Sequence, residues 1–264
     1  MEYLGYFASI LIGISLGLIG SGGSILTVPV LVYLLSVDVV AATAYSLFIV
    51  GFTAALGSID YFRKGLIETR TAIVFGIPSI IAVFLTRAYL VPWLPESMIH
   101  FGNLEVTKSM FLLCLFAILM MISSVSMIKD KNGEGDNETG PQEFNYPLIL
   151  GEGLLVGTIT GLVGAGGGFL IIPALVLLSK LPIKKAIGTS LVIIAAKSLI
   201  GFLGESDATV IDWLLIIKVT IFAAIGLVIG IYLSKKIDGK KLKPIFGWFV
   251  LLMGIYIILK ETIF

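Results

Sequence analysis

Ten apolar runs leave this 264-residue chain few ways to fold. They occupy roughly 3–20, 24–36, 39–59, 70–91, 106–128, 147–163, 168–180, 184–203, 210–233 and 244–260. A helix crossing about 30 Å of hydrocarbon needs roughly 20 apolar residues. Most of the runs reach that length. Runs 24–36 and 168–180 do not, and they hold the same place in each half of the chain. Hydrophobic residues make up 58% of the sequence and charged residues 13%, against about half and about a quarter in soluble domains. A water-soluble fold must solvate its outside, so the apolar surplus has to face lipid. The expectation is an all-α polytopic membrane protein of the cell membrane. Met1-Glu2-Tyr3 lacks a positive n-region, so the first run reads as mature structure rather than a cleaved signal.

The chain repeats itself without gaps, 144 residues on. Gly13, Gly17, Leu18, Gly20, Gly22, Gly23, Leu26, Pro29, Leu31, Val32 and Leu34 recur as Gly157, Gly161, Leu162, Gly164, Gly166, Gly167, Leu170, Pro173, Leu175, Val176 and Leu178. The same register pairs Ala42 with Ala186, Ser46-Leu47 with Ser190-Leu191, and Gly57 with Gly201. Apolar composition can coincide by chance; a shared Gly and Pro pattern in one register is a duplication. The polar stretch 129–145 divides the first repeat (1–128) from the second (146–264) and reads as a cytoplasmic linker.

Loop charge sets orientation. Arg63, Lys64 and Arg70 follow the third run, whereas the matching loop Gly204–Thr209 holds Glu205 and Asp207 and no base. The loop Pro92–Glu105 has no Lys or Arg, whereas its counterpart carries Lys235, Lys236, Lys240, Lys241 and Lys243. Lys180, Lys184 and Lys185 have no basic match around Ser36–Asp38. Matching loops therefore lie on opposite sides, which makes the repeats inverted, with five helical segments each. Ten crossings with both termini outside satisfy every loop. So do eight crossings plus two hairpins that enter and leave on one side.

The clusters at 20–24 and 164–168 interrupt apolar runs. Glycine is poor in a helix by about 1 kcal/mol against alanine and freely adopts positive φ. Consecutive glycines should unwind the backbone, and freed amides and carbonyls cannot face lipid. Each short run then begins as a broken helix near the midplane, its N-terminus carrying about half a positive charge. Two such N-termini make a natural anion site. Gly13, Gly17, Gly157 and Gly161 have the spacing of close helix packing instead, and replacing Gly13 or Gly157 is expected to be milder than alanine in the clusters. A dinucleotide-binding loop would need a strand and a soluble βαβ unit, and neither is in the sequence.

The paired pattern Gly20-Ser21-Gly22-Gly23 to Pro29 and Gly164-Ala165-Gly166-Gly167 to Pro173, with Ala186-Ile187-Gly188-Thr189-Ser190-Leu191, resembles the TauE/SafE family. This is the sulfite exporter, or toluene sulfonate uptake permease, superfamily. The resemblance covers nearly the whole chain outside the linker. It implies a secondary transporter of small anions, sulfur oxyanions or organosulfonates. The first half departs from the pattern: Ala44-Tyr45-Ser46-Leu47 stands against Gly188-Thr189-Ser190-Leu191, and Ser24 against Gly168. The two half-sites are therefore unequal.

Lys197 lies mid-run, seven residues after Ser190 and so on the same helix face. A lysine at a helix centre costs about 2.5–3.5 kcal/mol on insertion scales and should face an interior with a partner. Its repeat mate is Thr53. The candidate substrate site thus comprises Gly20, Ser21, Gly22, Gly23, Ser24, Ser46, Gly164, Ala165, Gly166, Gly167, Gly168, Thr189, Ser190 and Lys197. Arg87 reads as interfacial, Lys218 as snorkelling, and Glu152 as a further candidate proton site. The expected partners are a small anion, membrane lipid and a coupling ion, proton or sodium. A net charge of +1 gives no footprint for nucleic acid. No cofactor or metal site is expected. A passive anion channel is the nearest alternative. A membrane enzyme is harder to build, since His100 is the only histidine and sits in a loop.

Overall fold

The computed structural model describes residues 2–19, 22–101, 104–129, 146–164, 166–177, 181–205, 211–234 and 239–263. Residues 130–145 of the linker, Gly20, Ser21 and Ala165 lie outside them.

Apolar runs become helices wherever the backbone can satisfy itself. In the first half these are α1 (Glu2–Ile19), α2 (Gly22–Leu34), α3 (Val39–Arg63), α4 (Thr69–Trp93) and α5 (Lys108–Lys129). The second half supplies α6 (Tyr146–Val163), α7 (Gly168–Leu177), α8 (Ile183–Leu203), α9 (Trp213–Ser234) and α10 (Gly239–Ile263). At 25 residues α3 rises about 37 Å, more than the hydrocarbon needs, and Asp38 caps it by accepting from the Val40 and Ala41 amides. Five of the helices are long and apolar enough to cross a membrane. From Gly22 to Leu34, α2 rises only roughly 20 Å. It opens as a 3-10 turn and closes as a π turn. Large aliphatic side chains stay exposed at helical spacing, among them Ile73, Ile77 and Ile81 on α4 and Leu214, Ile217 and Ile221 on α9. Faces of this kind need lipid. The protein is an all-α polytopic membrane protein.

One short sheet breaks the pattern. The stretch read as a basic-free loop holds two antiparallel strands, β1 (Ser97–Phe101) and β2 (Leu104–Thr107), and His100 lies in β1. This hairpin lengthens the first half, which is why the 144-residue register relates α1–α4 to α6–α9 but does not extend to α5 and α10.

The helix pairings are unchanged when the first five helices are exchanged for the last five. Helix α1 packs on α9 and α6 on α4; α3 packs on α8; α5 packs on α10. Glycines fix the directions. Gly17 meets the backbone at Leu227 and Ile231 and Gly13 the backbone at Ala223, so α1 and α9 run parallel. Gly153 meets Phe75 and Gly157 meets Ser79, so α6 and α4 do too. Gly51 meets Leu199 and Gly57 meets Leu191, so α3 and α8 run antiparallel.

These contacts overturn one expectation. A Cβ on Gly157 would stand 2.5 Å from the Ser79 carbonyl oxygen, and one on Gly17 2.6 Å from that of Leu227. Gly13, Gly17 and Gly157 press on neighbouring backbone, which cannot swing aside as a side chain can, so alanine at these three is not mild. Gly57, with its nearest neighbour at 3.5 Å, has room.

Arg87 corrects another. It is fully buried, not interfacial, and its Nη1 donates to Glu205 Oε2 at 3.1 Å. Its Nε and Nη2 have no hydrogen-bond partner among the described residues. Lys218 is exposed, with its Nζ 6.0 Å from the Tyr6 ring centroid, as a chain reaching outward would be.

Candidate functional site

The second glycine cluster is a true break. Gly164, Gly166 and Gly167 have φ of +73°, +65° and +68°, the left-handed region that a side chain disfavours. The chain leaves α6 at Val163, turns through these residues, and starts α7 at Gly168. The turn lies between α3 and α8. A Cβ on Gly164 would fall 2.5 Å from Thr43 Cα, and one on Gly166 2.5 Å from Val50 Cγ1 and 3.5 Å from Ile194. Thr43 and Val50 lie on α3, Ile194 near the middle of α8.

Lys197 fills the space the third glycine leaves. Its Nζ stands 2.8 Å from where a Gly167 Cβ would be, and it donates to Thr160 Oγ1 at 2.8 Å. The Thr160 hydroxyl in turn donates to the Gly157 carbonyl at 3.2 Å. Lys197 is 0% exposed and Thr160 1%. Among the described residues no carboxylate lies within ion-pair distance of Lys197. The ammonium therefore sits beside the N-terminus of α7, itself the positive end of a helix. Two positive features share one buried place.

The remaining candidates divide. Ser46, one turn from both Thr43 and Val50 on α3, is fully buried and its Oγ has no hydrogen-bond partner among the described residues. Gly168 and Ser24 are buried at the starts of their short helices. Ser190 spends its hydroxyl on the Ile187 carbonyl at 2.8 Å. Thr189 accepts the Glu68 amide at 2.9 Å and so ties α8 to the start of α4. Neither reaches the break through those bonds. Glu152 lies half-buried on α6, two turns before Thr160. Gly20, Ser21 and Ala165 lie outside the described residues.

The first cluster is built differently. Gly23 is packed on α1, a Cβ there falling 2.5 Å from the Leu16 amide and 2.6 Å from Ser15 Oγ. It does not have positive φ. Thr53, in the place of Lys197, is fully occupied locally by the Ile49 carbonyl.

Sequence reasoning missed Thr160 and the unpartnered, buried Ser198 next to Lys197. Thr160 stands inside the Gly157–Gly161 packing motif, which masks it as one more small residue. It also missed a polar recess of about 320 Å³ between the start of α3 and the end of α8. Asp38, Tyr45, Lys108, Phe202 and Glu205 line it. Phe202 is little more than one turn along α8 from Lys197.

Lipid-facing helices around a buried, polar, glycine-broken centre define a multi-pass membrane transporter for a small molecule. The chain belongs to the sulfite exporter TauE/SafE family, whose model matches residues 6–257. A probable membrane transporter protein of Xylella fastidiosa (strain Temecula1) is 28% identical over 258 residues, covering 94% of this chain and 91% of its own. The probable membrane transporter protein YdhB of Bacillus subtilis is 27% identical over 220 residues, 83% of this chain and 85% of its own. A probable membrane transporter protein of Methanocaldococcus jannaschii is 25% identical over 268 residues, 95% and 94%. No solved structure matches the chain. The family is one of transporters rather than enzymes.

Proposed function

We propose that the protein is a secondary transporter of a small anion, a sulfur oxyanion or organosulfonate, bound at the second glycine break. One observation carries the reading: the Lys197 ammonium and the N-terminus of α7 meet in a buried place with no carboxylate among the described residues in ion-pair reach. Like charge gathered away from water is costly unless a counter-charge joins it. An oxyanion supplies one, with the Gly166–Gly168 backbone amides and the Ser46 hydroxyl as further donors. The family's description as sulfite exporters supports the substrate class.

The halves are read as inverted repeats in the cell membrane, with both termini outside. The antiparallel crossing of the equivalent helices α3 and α8 supports inversion. The moving bodies are not the halves themselves. Backbone-tight parallel pairs bind α1 to α9 and α4 to α6, so α1–α3 travel with α9 and α6–α8 with α4. They slide where α3 crosses α8, and the recess above Phe202 is the approach to the site.

Counterflow in proteoliposomes preloaded with sulfite, thiosulfate, sulfoacetate or taurine tests the reading. A carrier accelerates uptake of label when the same anion waits on the far side. Conductance without such acceleration would make the protein a channel.

A further inference from the structure

We infer that Lys197 couples the anion to a proton, so that each turnover moves the two together. The inference rests on the anion site proposed above.

Lys197 has a hydroxyl, Thr160, and no carboxylate among the described residues within reach. Its neighbours offer nothing to replace one. On α8 the other titratable groups are Lys184 and Lys185, which are bases at the far end. On α3 they are Tyr45, which lines the recess, and Asp60, Tyr61 and Arg63 at the opposite end. On α4 they are Arg70, Arg87 and Tyr89, with Arg87 held by Glu205. Glu205 itself lies eight residues beyond Lys197, about 12 Å along the helix axis. On α6 they are Tyr146 and Glu152, the latter two turns from Thr160, and the described part of α7 has none.

Arg87 shows what a permanently charged buried base looks like here. It has its own carboxylate. Lys197 does not, and its charge can be balanced in only two ways. A bound anion balances it, or the amine gives its proton up. The loaded centre is then an ammonium–anion pair, and the empty centre is a neutral amine bonded to Thr160. Carriage of the anion in one direction and return of the empty centre thus carries one proton with the anion. Arginine cannot follow this cycle, because it keeps its charge throughout.

The test uses purified protein in proteoliposomes with the membrane potential clamped, and thiosulfate or sulfoacetate as the probe. Both stay ionised near neutral pH, so any proton that moves is moved by the protein. An inward anion gradient should acidify the lumen in wild type. In Lys197→Arg, whatever anion-for-anion exchange survives in the folded protein should exceed net uptake by about tenfold or more relative to their ratio in wild type, since only the empty return needs the neutral amine. Net anion uptake by wild type without luminal acidification would overturn the coupling and leave the anion site standing. If wild type exchanges neither probe, the anion reading falls and takes the coupling with it. Equal loss of exchange and net uptake in a folded Lys197→Arg protein would also count against coupling through this residue.

Discussion

The two glycine clusters match in sequence and differ in their described residues. At the second, three glycines with positive φ open the backbone beside Lys197. At the first, Gly23 keeps ordinary dihedrals and packs against α1, and Thr53 turns its hydroxyl back onto its own helix. The helix pairings are unchanged on exchange of the halves. The buried lysine stands on one side only, with Thr53 at the matching position of the other. The lesson is that a repeat predicts where a site can form and does not predict that both copies form it.

The largest effect expected from breaking this contrast is at Gly164 and Gly167. Alanine there meets left-handed strain and Thr43 or Thr160 at once, about 2–5 kcal/mol together. Transport should vanish and thermal stability should fall. Gly23→Ala, free of the dihedral strain, should cost about 1–3 kcal/mol, and Gly57→Ala should be near neutral. Melting curves of the detergent-purified variants give the ranking, and equal tolerance at Gly167 and Gly57 would mean that the second cluster is ordinary helix.

The two buried bases form a second contrast. Glu205→Gln strands Arg87 without its partner, a loss of about 3–5 kcal/mol in stability, with anion affinity in the surviving folded protein unchanged. Restoration by the double variant Arg87→Met/Glu205→Gln would identify the pair as structural. A smaller change is expected at the repeat mate of Lys197. Thr53→Val removes a hydroxyl that bonds only its own helix, so uptake should stay within about twofold. Loss of uptake comparable to that in Lys197→Gln would erase the asymmetry between the halves. Last, the inverted reading places Lys64 inside and Glu96 outside. In a Cys114→Ser background, an impermeant thiol reagent applied to cells should label Glu96→Cys and spare Lys64→Cys.

Much of this was legible in the residues. Run length yields the helices, and the missing side chains at 164–168 yield the break. A charge in mid-run points to an interior, and Lys197 is buried; its spacing from Ser190 does not locate it, since Ser190 bonds its own helix. What stayed hidden depends on contacts far apart in sequence. Nothing local to Arg87 says that Glu205, just past the end of α8, will pair with it in the interior. Nothing near Gly13 says that a carbonyl of α9 lies against it rather than a yielding side chain. The hairpin at 97–107 was invisible because its alternation is short and sits between two long apolar runs. The two glycine clusters look alike in sequence and fold differently, because what surrounds each backbone, and not its own composition, decides whether positive φ is used.

The central claim is that an anion sits on Lys197. Its most direct measurement is the thermal stabilisation of purified protein across a concentration series of the anion that counterflow selects. Wild type should be stabilised with a saturable dependence. Lys197→Gln should need far more anion for the same shift, because the ammonium that would pair with the anion is gone. An unchanged apparent affinity in Lys197→Gln would contradict the account and leave the anion to backbone amides and hydroxyls alone.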